Sequence, residues 1–138
     1  MIAGNHDPWS QIHKKWQKGR EKARSLNPNI TTICHDAMVN IGKFQVRLNH
    51  FPYLDEPDQH SHEDEYTARY KEWRPERGRG ESFLLQGHRH CKPEDRLREG
   101  QLEVSWDAWG RPVSEEEIYE IIKVFVKLSL KYVLFTIL

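Results

Sequence analysis

Phe44-Gln45-Val46-Arg47-Leu48-Asn49-His50-Phe51-Pro52 is the stretch that decides the fold. Phe44, Val46 and Leu48 alternate with polar neighbours, the period of two that belongs to a strand with one buried face. Continuing that period places His50 on the buried face, at the last position before Pro52, whose missing N–H stops strand pairing. The whole of Ala37 to His50 reads as two strands around a turn near Asn40 to Lys43. An imidazole at a strand end, leading into a loop, stands where α/β sheets gather their ligands.

Downstream, Asp55 to Glu81 is almost wholly polar, acidic first and then basic with Arg69, Arg74, Arg77 and Arg79, and has no sustained apolar period. It reads as a long loop with one helical turn around Tyr66 to Trp73, of the kind that serves as a binding loop. Its guanidinium groups suit a substrate phosphate, while His60 and His62 read as solvated. Ser82 to Gln86 is a buried strand that stops at Gly87 and runs straight into His88-Arg89-His90. Gln101 to Ser105 is a further strand, and Trp106 and Trp109, which bracket Asp107, read as core aromatics. Ser114 and Glu117 form a capping box that opens a helix to about Lys123. From Val124 to Leu138 the chain is apolar except for Lys127 and Lys131 and fits helix and strand periods equally. It is too short and too charged for a membrane span. The division is therefore residues 1–123 as one portion and 124–138 as an apolar tail.

Upstream, Met1 to Ala3 is an apolar entry that meets the turn formers Gly4-Asn5-His6-Asp7-Pro8. Trp9, Ile12, Trp16, Ala23 and Leu26 then recur at helical spacings, with Gly19 inside the run. Ile30 to Cys34 is short and β-rich. The 138 residues make one domain, and 21 basic residues balance 21 acidic ones. No net field steers the molecule toward nucleic acid or anionic membrane. Cys34 and Cys91, without a secretory h-region, indicate a reducing cytosol rather than a disulfide scaffold.

Three loops that each follow a predicted strand carry ligand-type residues: Gly4-Asn5-His6-Asp7, Asn49-His50-Phe51-Pro52-Tyr53 and Gly87-His88-Arg89-His90. Gly-Asn-His-Asp, a strand-end His and Gly-His-x-His, in this order, resemble the last three metal motifs of the calcineurin-like metallophosphoesterases. His-Phe-Pro-Tyr at 50–53, Leu-Gln-Gly-His-Arg-His at 85–90 and Trp-Asp-Ala-Trp followed by Arg-Pro-Val-Ser at 111–114 are similar to a phage and bacterial subgroup of that family. The resemblance covers roughly residues 1 to 123. It implies an α/β chain, part of the layered α/β/β/α sandwich of those enzymes with the N-terminal strands missing.

It also implies a metal-dependent phosphoesterase acting on a phosphate mono- or diester. Asn5, His50 and His88 would hold the second metal, His90 would face the first, and His6 would be the general acid with Asp7 orienting it. Manganese, iron or zinc would suit histidine with amide oxygen. In the family two metals share a carboxylate and activate a water for in-line attack on phosphorus. The Asp-x-His and Gly-Asp motifs that lie upstream of Gly-Asn-His in the family are not found in Met1-Ile2-Ala3, and Leu102-Glu103-Val104-Ser105 stands where relatives show Asn-Val-Gly. The expectation is thus a truncated phosphoesterase. The alternative is a noncatalytic remnant that binds one metal or a partner chain, either a separately encoded N-terminal half or a second copy.

Overall fold

The computed structural model describes residues 1–55, 70–78 and 83–136, with side chains described as far as residue 129. Ala37 to His50 forms the expected hairpin: β1 (Asp36–Ile41) and β2 (Phe44–Asn49) pair antiparallel from Asp36↔Asn49 to Ile41↔Phe44. Its two-residue turn places Gly42 at φ 56°, a region that a Cβ disfavours. β2 runs parallel to β3 (Phe83–Gln86). Next come β4 (Leu97–Arg98) and β5 (Gln101–Glu103), which pair antiparallel, and β5 runs parallel to β3. The result is a five-stranded mixed sheet in the order β1-β2-β3-β5-β4. The carboxyl ends of β2, β3 and β5 all lie on one edge.

Among the described residues three α-helices complete an α/β fold: α1 (Trp16–Leu26), α2 (Trp106–Trp109) and α3 (Glu115–Thr136). Ile118 and Ile122 of α3 meet Phe44, Val46, Phe83, Leu85 and Leu102 on one face of the sheet. Leu84, which points the other way along β3, is also 0% exposed. Burial of both faces is what a parallel strand without polar alternation requires.

Several expectations need correction. The helix read from Trp9 starts at Trp16, because after Pro8 the chain makes turns that recur every three residues: Ser10 N–H to Asp7 O (2.9 Å), His13 N–H to Ser10 O (3.0 Å) and Trp16 N–H to His13 O (3.1 Å). A spacing of three is shared by such turns and a helix face, so the apolar period alone does not separate them. Gly19 is explained by packing: a Cβ there would lie 2.3 Å from the Pro8 carbonyl oxygen. Ile30 to Cys34 is not a strand; Cys34 makes a single parallel bridge to Ile2, and beside it Ala3, Ala23 and Ile33 form a small second core.

No break occurs at Lys123. The capping box forms as expected, with Glu117 N–H donating to Ser114 Oγ at 3.2 Å and Ser114 N–H to a Glu117 carboxylate oxygen at 3.1 Å. The helix it opens continues through the apolar tail to Thr136. Phe125 and Val126 belong to the core, with the Phe125 ring edge-on to Phe83 at 5.4 Å. Trp109 is partly buried, but Trp106 is 67% exposed and is no core residue. Among the described residues, no helix is long and apolar enough to cross a membrane.

Candidate metal centre

β2 ends at Asn49, one residue short of His50, because the Asn49 side-chain oxygen accepts the Phe51 N–H at 2.9 Å and curls the chain there. His50 is accordingly half-buried at the strand end instead of continuing the apolar face. Its ring lies against Gly4, where a Cβ would approach it to 2.9 Å. Gly4 is therefore required by close approach, and Asn5 follows directly.

Asn5 is 4% exposed, and its side-chain oxygen lies 2.7 Å from His50 Nε2. His88, carried beyond β3, brings its Nδ1 to 3.1 Å from the same His50 Nε2. The two imidazoles meet edge to face, with centroids 5.0 Å apart. Behind them Phe51 and Tyr70, both buried, stack at 5.2 Å, and Phe51 also faces His88 at 4.8 Å. The loops that resemblance brought together on paper thus meet in space at the carboxyl edge of the parallel strands.

Donor atoms held about 2.1 Å from a single cation lie roughly 3.0–3.4 Å from one another. The Asn5 oxygen, His50 Nε2 and His88 Nδ1, at 2.7 and 3.1 Å, come within a few tenths of an ångström of that spacing. Among the described residues the Asn5 side-chain nitrogen is buried with no hydrogen-bond partner. Such an orphaned group is expensive to bury. It marks a side chain held for its oxygen. The set consists of two imidazoles and one amide; among the described residues no three His, Cys, Asp or Glu side chains gather as a metal cage.

Burial, and next the neighbouring His88, push the His50 pKa down to about 4; Asp7 opposes this, while His6 and His90 add to it. At neutral pH His50 is therefore the free base that a metal needs. The same interactions place His6, Asp7 and His90 around the trio without joining it. His6 is exposed. Asp7 accepts the Gly4 N–H at 2.8 Å, so its carboxylate closes the turn and is not seen to orient His6. His90, at φ 47°, turns its Nδ1 to Asp107, 2.5 Å away.

Arg74 is 7% exposed and donates to the carbonyl oxygens of Pro52 and Tyr53, bracing the loop after His50. Arg77 bonds Asp55 (2.9 Å) and the Glu99 carbonyl (2.7 Å) and covers the Tyr53 ring. Both arginines therefore brace loops, and neither is seen poised for a phosphate. Arg69, Arg79, His60 and His62 lie outside the described residues.

Residues that sequence reasoning passed over support the centre from below. His13 Nε2 lies 2.9 Å from the Asn5 carbonyl oxygen. Asn49, Gln86 and Glu103 stand side by side at the carboxyl ends of β2, β3 and β5, since Gln86 pairs with Glu103 and Asn49 follows the Leu48↔Leu85 pair. Each turns a side-chain oxygen to a loop amide: Asn49 to Phe51, Gln86 to His88 (3.1 Å) and Glu103 to Arg89 (3.1 Å). The legible signal was a polar residue ending each apolar strand.

Comparison with known proteins gives one curated relative. The chain is 37% identical over 83 residues to the Gene 66 protein of Mycobacterium phage L5, a match covering 59% of this chain and 36% of the phage protein. The chain thus corresponds to about a third of that relative's length. No family model matches the chain, and no solved structure matches it.

Proposed function

We propose that the protein is a metal-dependent phosphoesterase that contributes one metal's half of the active site, built from Asn5, His50 and His88. The observation that carries this is the convergence of three donor atoms from three separate loops at 2.7 and 3.1 Å. The resemblance to the calcineurin-like metallophosphoesterases supports the same assignment, and the sheet is then one portion of that family's layered sandwich. Manganese, iron or zinc would fit the donors. A divalent cation bound there would supply positive charge to polarise a phosphoryl oxygen.

The chain's own side chains do the rest. Asn5 and the two imidazoles would hold that cation, and the Phe51–Tyr70 wall lies against the inner side of the His88 ring. His6, exposed beside the centre, gives a proton to the leaving oxygen. A second reading, one bound metal without turnover or docking of a partner chain, is favoured by the lack of a carboxylate in the trio.

Hydrolysis of bis-p-nitrophenyl phosphate by the full chain with Mn²⁺ separates them. We expect metal-dependent turnover that falls about 100-fold or more in His6→Ala, the scale of a lost general acid, with Mn²⁺ binding unchanged. Bound Mn²⁺ without turnover would favour the second, noncatalytic reading. Turnover indifferent to both metal and His6 would contradict the proposal.

A further inference from the structure

Glu103 is 0% exposed, yet it stands in a strand whose neighbours on β3 are mostly apolar. One carboxylate oxygen accepts the Arg89 N–H at 3.1 Å, and the other lies 3.9 Å from where a Gly87 Cβ would be. A Cβ at Gly87 would rest in ordinary van der Waals contact with this carboxylate, so the loop backbone passes directly over it. Arg89 is itself only 4% exposed; burial pushes the Glu103 carboxyl pKa up, and the Arg89 amide and charge oppose that shift. The Gly87–His90 loop is therefore inserted by its middle residue, with Arg89 down against Glu103, His88 half-buried beside His50 and His90 exposed on the rim. A buried carboxylate is tolerated only with partners of this kind.

We propose that Glu103 is a positioning residue for the metal centre: by taking the Arg89 amide, it fixes the loop that turns His88 toward His50. The inference rests on the metal reading of Asn5, His50 and His88. Groups behind metal ligands set ligand orientation, and their loss weakens metal binding by about 10–100-fold. Glu103 performs two separable tasks. Its oxygen receives the Arg89 N–H, which an amide oxygen does equally well; its charge balances Arg89, which an amide cannot do.

The test is a Mn²⁺ titration with thermal unfolding of the full chain, its Glu103→Gln and its Glu103→Ala variants. Glu103→Ala is expected to bind Mn²⁺ about 10–100-fold more weakly. Glu103→Gln is expected to keep affinity within about threefold, because the amide acceptor survives, while melting lower because Arg89 loses its counter-charge. Equal affinity in Glu103→Ala and wild type would overturn the proposal. So would loss of affinity in Glu103→Gln in step with its melting temperature, the behaviour of a residue that only supports the fold. If wild type binds no Mn²⁺, the metal reading fails, and the loop claim is decided by the nuclear Overhauser contact between the His50 and His88 rings. That contact must vanish in Glu103→Ala and persist in Glu103→Gln; its survival in both sinks the inference. Should Glu103→Ala not fold, Glu103→Met keeps the volume, removes the acceptor and takes its place.

Discussion

Phe83→Ala lowers the stability of the fold by about 3–5 kcal/mol, the range for emptying a buried phenylalanine site. Phe83 is 0% exposed, lies beside Val46 in the parallel ladder and takes the edge of the Phe125 ring at 5.4 Å. Neighbours on a sheet and on a long helix cannot collapse into the gap without shifting their own pairing. Since small domains hold together by about 5–15 kcal/mol, urea unfolding followed by circular dichroism would register a large fraction of the total. Leu26→Ala, at a position 75% exposed, should change stability by no more than about 0.5 kcal/mol. Equal effects at the two sites would mean that the sheet–helix core does not carry the fold.

Acid should weaken the protein through His50. Its folded-state pKa of about 4, against 6.5 when free, means that between these values the unfolded chain binds a proton that the folded chain refuses. Stability then rises with pH from about 4 to about 6.5 and is flat on either side as far as this group is concerned. A shift of this size corresponds to roughly 3 kcal/mol. His35, whose pKa is lowered by burial and then by Arg20, adds a slope of the same sign. The difference between wild type and His50→Gln, unfolded in urea at pH 4.5 and pH 7, isolates the His50 part. Parallel pH profiles would show that His50 is not held as a buried free base.

How much of this was legible in advance depended on which signal each segment carried. The alternation of Phe44, Val46 and Leu48, the short run Phe83–Gln86 and the Ser114/Glu117 box are local signals, and the structure realises each one. Trp9 to Trp16 misled because turns every three residues and a helix share a spacing, and only the backbone bonds Ser10 to Asp7, His13 to Ser10 and Trp16 to His13 separate them. The β4–β5 hairpin went unread although Glu99 and Gly100 both take positive φ, 27° and 80°, the pattern of a tight hairpin turn. The apolar tail was ambiguous by period alone; Phe83, some forty residues upstream, decides that Phe125 packs as part of a helix.

For the site, the motif order placed Asn5, His50 and His88 together, and the structure brings them to hydrogen-bond distance. His90 and Asp7 were harder, because their partners, Asp107 and the Gly4 amide, compete for the same atoms that the motif would assign to a metal or to His6. In the sequence Glu103 is visible only as part of a stretch that departs from the Asn-Val-Gly of relatives. Only the register of β3 against β5 reveals that it stands beneath the Gly87–His90 loop.

The most direct measurement is a calorimetric titration of the full chain with Mn²⁺ at pH 7, beside His50→Ala and His88→Ala. Binding of one ion by wild type, weakened about 100-fold or more in both variants while their unfolding stays cooperative, is the outcome expected of a centre built on these two imidazoles. Wild type that binds no ion, or variants that bind it as tightly as wild type, would contradict the assignment of Asn5, His50 and His88 as a metal centre.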